Sequence, residues 1–130
     1  MSDKLQLFQQ IFSLYNNVIL YVKPTNIELQ IAIKTLKGLY NQYDVVKDLA
    51  YHTIVSGIKE NWNKYSYIIS SDNINITDIF SIVTDQLKDN QIAMNNLEKL
   101  KPLSTVKLDD AFTNKIKKIV LNIGKICHVN

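Results

Sequence analysis

The sequence predicts one all-α domain over residues 1–130, folded as a compact antiparallel bundle of about five helices. Apolar residues recur at alternating steps of three and four along most of the chain, which is the spacing of one helix face. Glycine and proline number only three and two, and a fold of many short strands would need more of these turn residues. The chain length is ordinary for a single domain, and no linker divides it.

Five periodic segments place the helices near residues 3–22, 26–43, 45–69, 77–100 and 106–127. The apolar stripe of the first segment consists of Leu5, Phe8, Phe12, Tyr15, Ile19 and Val22, and the other segments repeat its spacing. A period of about 3.5 residues is typical of helices that pack at shallow angles in a bundle. Because the connections are short, consecutive helices should run antiparallel.

Polar residues that cap helices stand at the predicted breaks. Thr25 followed by Glu28 forms a capping box for the second helix. The remaining breaks are assigned in the same way, with the capping or terminating residues Asp44, Asn75 or Thr77, Pro102, and Ser104 or Thr105.

The first two segments carry more apolar surface than a single stripe needs. Leu7 and Leu14 lie outside the stripe of the first segment, and Ile27 and Ile31 lie opposite the stripe of the second. A domain of this size can bury one such helix but not easily two. The sequence therefore predicts a contact with another protein or self-association into a homo-oligomer. The candidate interface residues are Leu7, Leu14, Ile27, Ile31, Tyr21 and Tyr67, of which the two tyrosines lie off the stripes near segment ends.

Basic residues concentrate toward the end of the chain. Residues 99–130 hold seven lysines and two aspartates, a net charge of +5, whereas residues 1–98 hold eight lysines and ten acids, a net charge of −2. Lys115, Lys118 and Lys125 share one flank of the last segment and could track nucleic-acid phosphates. A solvated helix face is the alternative interpretation. The absence of arginine and of interleaved aromatic residues favours that alternative.

Asn90 occupies a position of the fourth stripe where a seventh apolar residue belongs. A lone buried asparagine in a helical assembly often fixes helix register or partner number. The second interpretation is that the buried stripe ends near Leu87 and leaves Asn90 in solvent. Both interpretations remain open from the sequence.

Sequence motifs of catalysis, cofactor binding and metal binding are lacking. His52 and His128 stand apart, with no second ligand at the helical spacing that a zinc or di-iron site requires. The three glycines are isolated, so no phosphate-cradling loop is expected. The single cysteine, Cys127, fits a small core residue. We therefore expect no enzymatic activity, no cofactor and no small-molecule substrate.

Composition also bears on location and origin. Residues 5–22 are uncharged, but several amide and hydroxyl side chains interrupt them, so we expect no membrane span. No small-residue cleavage site follows, so we expect no signal peptide and a cytoplasmic protein. Isoleucine, asparagine and lysine make up over a third of the chain. Their codons are A/T-rich, which indicates an AT-rich genome such as those of some bacteria, protists, phages and large viruses.

Asn61-Trp62 followed by Lys64 resembles the Asn-Trp-Gly-Arg motif of Bcl-2-like proteins, and Leu39 with Asp44 resembles their BH3 leucine–aspartate spacing. The sequence departs from the motif at residue 63, which is asparagine, and at Lys64, which replaces arginine.

Three functions are thus ranked. The first is a non-enzymatic bundle that acts through protein–protein contacts, as a structural or accessory component of a viral or cellular assembly. The second is a nucleic-acid-binding module that uses the lysine flank. A Bcl-2-like viral regulator, which the resemblance implies, or a small enzyme comes third.

Overall fold

The computed structural model describes residues 2–46 and 48–129, with the side chains of residues 42–50, 83 and 86 outside the description. Within these residues the chain forms seven α-helices and no strand. The helices are α1 Asp3–Val22, α2 Ile27–Val46, α3 Asp48–Glu60, α4 Trp62–Ser70, α5 Ile76–Thr84, α6 Gln91–Lys99 and α7 Asp110–Ile126. Two short 3-10 helices, Asp85–Leu87 and Lys101–Thr105, lie before and after α6.

The all-α prediction is confirmed. The described chain has seven α-helices where about five were predicted, because two predicted helices are each broken. The first break is at Asn61, whose backbone leaves the helical region (φ −103°, ψ 16°). The Asn61 side-chain amide donates to the Gly57 carbonyl at 2.8 Å. This bond gives the chain an alternative to continuing the helix, which is why asparagine is a poor residue for a helix interior.

The second break lies between α5 and α6. The 3-10 helix Asp85–Leu87 replaces the α-helical turn there, and α6 begins one residue after Asn90. A stripe of apolar residues at helical spacing thus continues across the break between the two helices. Periodicity alone does not reveal such a break, since both parts bury the same kind of residue.

Asparagine side chains cap α2 and α5. The Asn26 side chain accepts from the amides of Glu28 and Leu29 at 2.8 and 3.3 Å, so Asn26 caps α2 and the assignment of Thr25 is wrong. The Asn75 side chain accepts from the Asp78 amide at 2.8 Å, which confirms Asn75 as the cap of α5. The predicted cap Asp44 belongs to the residues whose side chains lie outside the description.

The last helix begins later than predicted. Ser104 and Thr105 belong to a 3-10 helix that also contains Pro102, so they do not open α7. Asp109 is the cap instead, and its carboxylate accepts from the Phe112 amide at 2.7 Å. An acidic side chain at this position also complements the positive end of the helix dipole.

Helix α1 lies at the centre of the fold. It packs most extensively against α7 and also contacts α2 and α5. Its buried residues are Leu7, Phe8, Ile11, Leu14, Tyr15 and Val18. Burial this wide around one helix explains why its sequence is apolar beyond a single stripe.

None of the described helices combines the length and apolar character that crossing a bilayer requires.

Cys127 is a buried core residue at the end of α7. Burial raises the pKa of its thiol to about 11, with a smaller opposing effect from Lys59. A thiol with so high a pKa is almost entirely protonated near neutral pH and is a poor nucleophile.

Candidate protein-binding site

The structure separates the predicted interface residues into two groups. Leu7 and Leu14 are completely buried in the core, so the prediction that they face a partner is wrong. Ile27, Ile31 and Tyr67 are exposed, with 69%, 53% and 57% of their surface accessible. The apolar surplus of α1 is therefore core, while that of α2 faces solvent.

Tyr21 ties two helices together. Its ring stacks on Phe112 with centroids 4.2 Å apart. Its hydroxyl donates to the Lys107 carbonyl and accepts from the Asp109 amide, both at 3.1 Å. These contacts join the end of α1 to the start of α7, so Tyr21 serves the fold within this chain.

The hairpin formed by α1 and α2 is antiparallel, and aromatic residues hold it together. The Tyr40 ring packs edge-on against Phe12 and is also near Phe8 and Tyr15. The Tyr40 hydroxyl donates to the Phe8 carbonyl at 3.1 Å. Further along, Lys37 donates to the Asn16 side chain at 3.2 Å. Toward the connection at residues 23–26 the large rings give way to smaller side chains.

A cleft of about 510 Å³ lies between α1 and α2 at this end of the hairpin. Its lining residues are Ile19, Lys23, Pro24, Gln30, Ile33, Lys34 and Lys37, and we refer to it as the α1–α2 cleft. Its size is within the range of protein ligand pockets. Because isoleucine and proline alternate with lysine along its walls, the cleft is both apolar and cationic.

Three exposed apolar side chains lie within one helical turn, along the chain, of residues that line the α1–α2 cleft, although they do not line it themselves. Leu20, which is 68% exposed, lies one helical turn before Lys23. Ile27 and Ile31 lie one turn before Gln30 and Lys34, on adjacent positions of the α2 surface. Together with the cleft, Leu20, Ile27 and Ile31 form what we call the α1–α2 surface.

Sequence reasoning found Ile27 and Ile31 but not the cleft. Lys23, Lys34 and Lys37 are separated in the sequence and belong to no basic run. Only the antiparallel hairpin brings them around one space. Lys34 and Lys37 return along α2 toward the level of Asn16 and Ile19, and no spacing in the sequence indicated this.

Another cleft, of about 450 Å³, is lined in part by the polar side chains of His52, Glu60, Asp85 and Asp89. The Asp85 carboxylate accepts from Lys64 at 2.9 Å and from the Tyr65 hydroxyl at 3.0 Å, which ties α4 to the 3-10 helix. Within residues 2–46 and 48–129, no cluster of three or more histidine, cysteine or acidic side chains is arranged to hold a metal ion.

The lysine flank is exposed, as Lys115, Lys118 and Lys125 all face solvent on α7. These three side chains form no salt bridge within the described chain. Exposed and unpaired lysines suit both a solvated face and a phosphate-binding face, so nucleic-acid binding stays a prediction.

Asn90 has a local structural role. It is half-buried, and its side-chain oxygen accepts from the amides of Ile92 and Ala93 at 3.0 and 3.3 Å. These bonds make it the N-cap of α6. The capping role explains why a polar residue interrupts the apolar stripe. No role of Asn90 in fixing helix register is needed to explain it.

Comparison with known protein families, curated proteins and solved structures finds no match for this chain. The residues of the Bcl-2-like motif have structural partners of their own. Trp62 is the first residue of α4, and its indole packs over Gly124 of α7. The arguments for function therefore come from the geometry of the chain itself.

Proposed function

We propose that this domain is a non-enzymatic binding module that recognises another protein through the α1–α2 surface. The observation that carries the proposal is the exposure of Leu20, Ile27 and Ile31, each one helical turn along the chain from a residue that lines the α1–α2 cleft. Complete burial of one such side chain contributes roughly 1.5–3 kcal/mol. A few apolar anchors of this kind, grouped around a pocket, supply most of the affinity in many protein interfaces.

Charge favours a different protein over a second copy of this chain. In a two-fold symmetric dimer through the α1–α2 surface, the cationic cleft of one copy faces that of the other. Lys23, Lys34 and Lys37 would then approach one another without acidic partners in the cleft walls. Like charges brought together across an interface disfavour association.

The experiment is a selection from a displayed library of random 20-residue peptides against the intact domain. Selected peptides should bind the wild-type domain and bind at least about tenfold more weakly to Ile27→Ser/Ile31→Ser, which corresponds to about 1.4 kcal/mol. Both residues are exposed, so the substitutions should leave the fold intact. Ile92→Ser on α6, at another exposed isoleucine, is the matched control.

Enriched peptides that bind the double variant as well as the wild type would contradict the proposal, as would the absence of any enriched peptide. Sedimentation of the free domain supplies the third result. A dimer that Ile27→Ser/Ile31→Ser dissociates would replace the foreign partner with a second copy of this chain.

A further inference from the structure

We infer that the partner presents an acidic amphipathic helix, whose apolar face contacts the α1–α2 surface while its carboxylates meet Lys23, Lys34 and Lys37. This inference rests on the proposed function and specifies the chemistry of the partner.

The charged side chains that line the α1–α2 cleft are all of one sign. Three of its seven lining residues are lysines and none is acidic. Lys23 and Lys34 form no salt bridge within the described residues, and Lys37 is bonded to the neutral side chain of Asn16. Glu28, in the first turn of α2, is exposed and does not line the cleft. Asp3, the acidic residue of α1, begins the helix whose other end leads into Lys23. A helix of this length spans about 30 Å, several times the Debye length of about 8 Å at physiological ionic strength.

The backbone holds Lys23 at the cleft in an unfavourable conformation. Its φ angle is 45°, in the left-handed region, and its amide donates to the Ile19 carbonyl at 3.1 Å as the cap of α1. Glycine is the usual residue at this position because it has no Cβ. A lysine there costs conformational energy, and the cleft gains a positive charge from it. Strained positions of this kind occur preferentially at binding sites.

A helix fits the shape of this surface better than a small anion or a lipid carboxylate. The cleft runs between two antiparallel helices, with Ile19 and Ile33 among its lining residues. Leu20, Ile27 and Ile31 are exposed and do not line the cleft, so a small ligand held within the cleft would leave them uncovered. An amphipathic helix presents apolar anchors at positions i, i+3 or i+4, and i+7, with charged residues on both flanks.

Fluorescence anisotropy with synthetic peptides tests the inference. The probe is an 18-residue labelled helix with leucines on one face and glutamates on the other. A second peptide has lysine in place of each glutamate, and a third scrambles the first so that no apolar face forms. All are titrated with the intact domain at low and physiological salt.

The expected result is binding of the glutamate peptide alone, weakened by salt. Lys34→Glu/Lys37→Glu should bind it at least about tenfold more weakly, because each exposed ion pair contributes up to roughly fivefold, and should acquire affinity for the lysine peptide. The control, Lys115→Glu/Lys118→Glu, changes the net charge equally on α7 and should bind the glutamate peptide as the wild type does.

Other results separate this inference from the proposed function. If the glutamate peptide and the lysine peptide bind equally, and Ile27→Ser/Ile31→Ser binds neither, the α1–α2 surface is still a protein-binding surface. The inference that its partner is acidic would then be overturned. Equal binding of the scrambled peptide would also overturn the inference, since a helix would not be required. If no helical peptide binds while vesicles rich in phosphatidylserine do, the occupant is a lipid surface and the inference fails. If nothing binds, the inference fails, and the library selection decides the proposed function independently.

Discussion

The indole of Trp62, at the start of α4, lies directly against the backbone of Gly124 in α7. A Cβ atom at residue 124 would lie 2.8 Å from indole Cζ2 and closer still to Cη2. Real Cβ atoms do not approach other atoms this closely, so glycine at this position allows α4 and α7 to pack together. The broken third segment thus depends on a small residue far away in the sequence.

Gly124→Ala should therefore destabilise the domain. Alanine favours helix over glycine by about 1 kcal/mol, but displacing the partly buried indole costs more, and we expect a net loss of about 1–2 kcal/mol. Gly38→Ala is the control, because nothing lies within 4 Å of the added Cβ. It should gain about 0.5–1 kcal/mol. Urea unfolding followed by circular dichroism measures both, and a more stable Gly124→Ala variant would contradict the packing described.

Tyr15 carries a buried hydroxyl that finds no hydrogen-bond partner in the described chain. Burial also raises the pKa of its phenol. Removing an unsatisfied buried hydroxyl avoids a desolvation cost of about 1–3 kcal/mol, so Tyr15→Phe should raise the free energy of unfolding by about 1 kcal/mol.

Tyr40→Phe is the matched control for Tyr15→Phe, since the Tyr40 hydroxyl donates to the Phe8 carbonyl. That variant should lose about 0.5–1.5 kcal/mol. Thermal unfolding of both variants beside the wild type checks the pair. Equal losses in both would show that the Tyr15 hydroxyl is satisfied.

Asn90 should behave as a helix cap. Asn90→Leu removes the acceptor for the Ile92 and Ala93 amides and should cost about 1 kcal/mol, with no change of mass in solution. Asn90→Asp retains an acceptor and should stay close to the wild type. A more stable Asn90→Leu variant with an altered oligomeric state would instead support a buried residue that fixes register. Calorimetry and light scattering distinguish the two.

Lys23→Gly should weaken binding of the glutamate peptide and raise the stability of the fold. Glycine relieves the left-handed conformation of residue 23 and should raise the free energy of unfolding by about 0.5–1 kcal/mol. It also removes one of the three lysines of the α1–α2 cleft. Lys34→Gly removes a lysine from inside α2 and should lose about 1 kcal/mol. If Lys23 and Lys34 both contact the peptide, both variants should bind the glutamate peptide more weakly, while their stabilities change in opposite directions. Unchanged binding by both variants would contradict this role of the two lysines.

Much of the fold could be predicted because it depends on local pattern. The bounds of α1 follow from its apolar spacing. The cap at Asn75 follows from the position of a polar residue just before an apolar stripe. The breaks at Asn61 and Asn90 could not be predicted in this way. The stripe continues through both, and the contacts that accompany them, such as Trp62 on Gly124, join residues far apart in sequence.

The candidate site could be predicted only in its apolar part. Ile27 and Ile31 stand opposite the stripe of their own helix, so local spacing identifies them as exposed. Leu7 and Leu14 also lie outside the apolar stripe of their helix, but they are buried because α1 has helices on several sides. The lysine cleft needs the hairpin geometry, which sequence spacing does not supply.

Amide chemical-shift mapping shows directly whether the α1–α2 surface binds an acidic amphipathic helix. The ¹⁵N-labelled domain is titrated with the unlabelled glutamate peptide. We expect the largest saturable shifts on residues 19–37, with little change at Lys115 or Lys118 on α7. Shifts centred on α7, or on the polar cleft near His52 and Asp89, would contradict it.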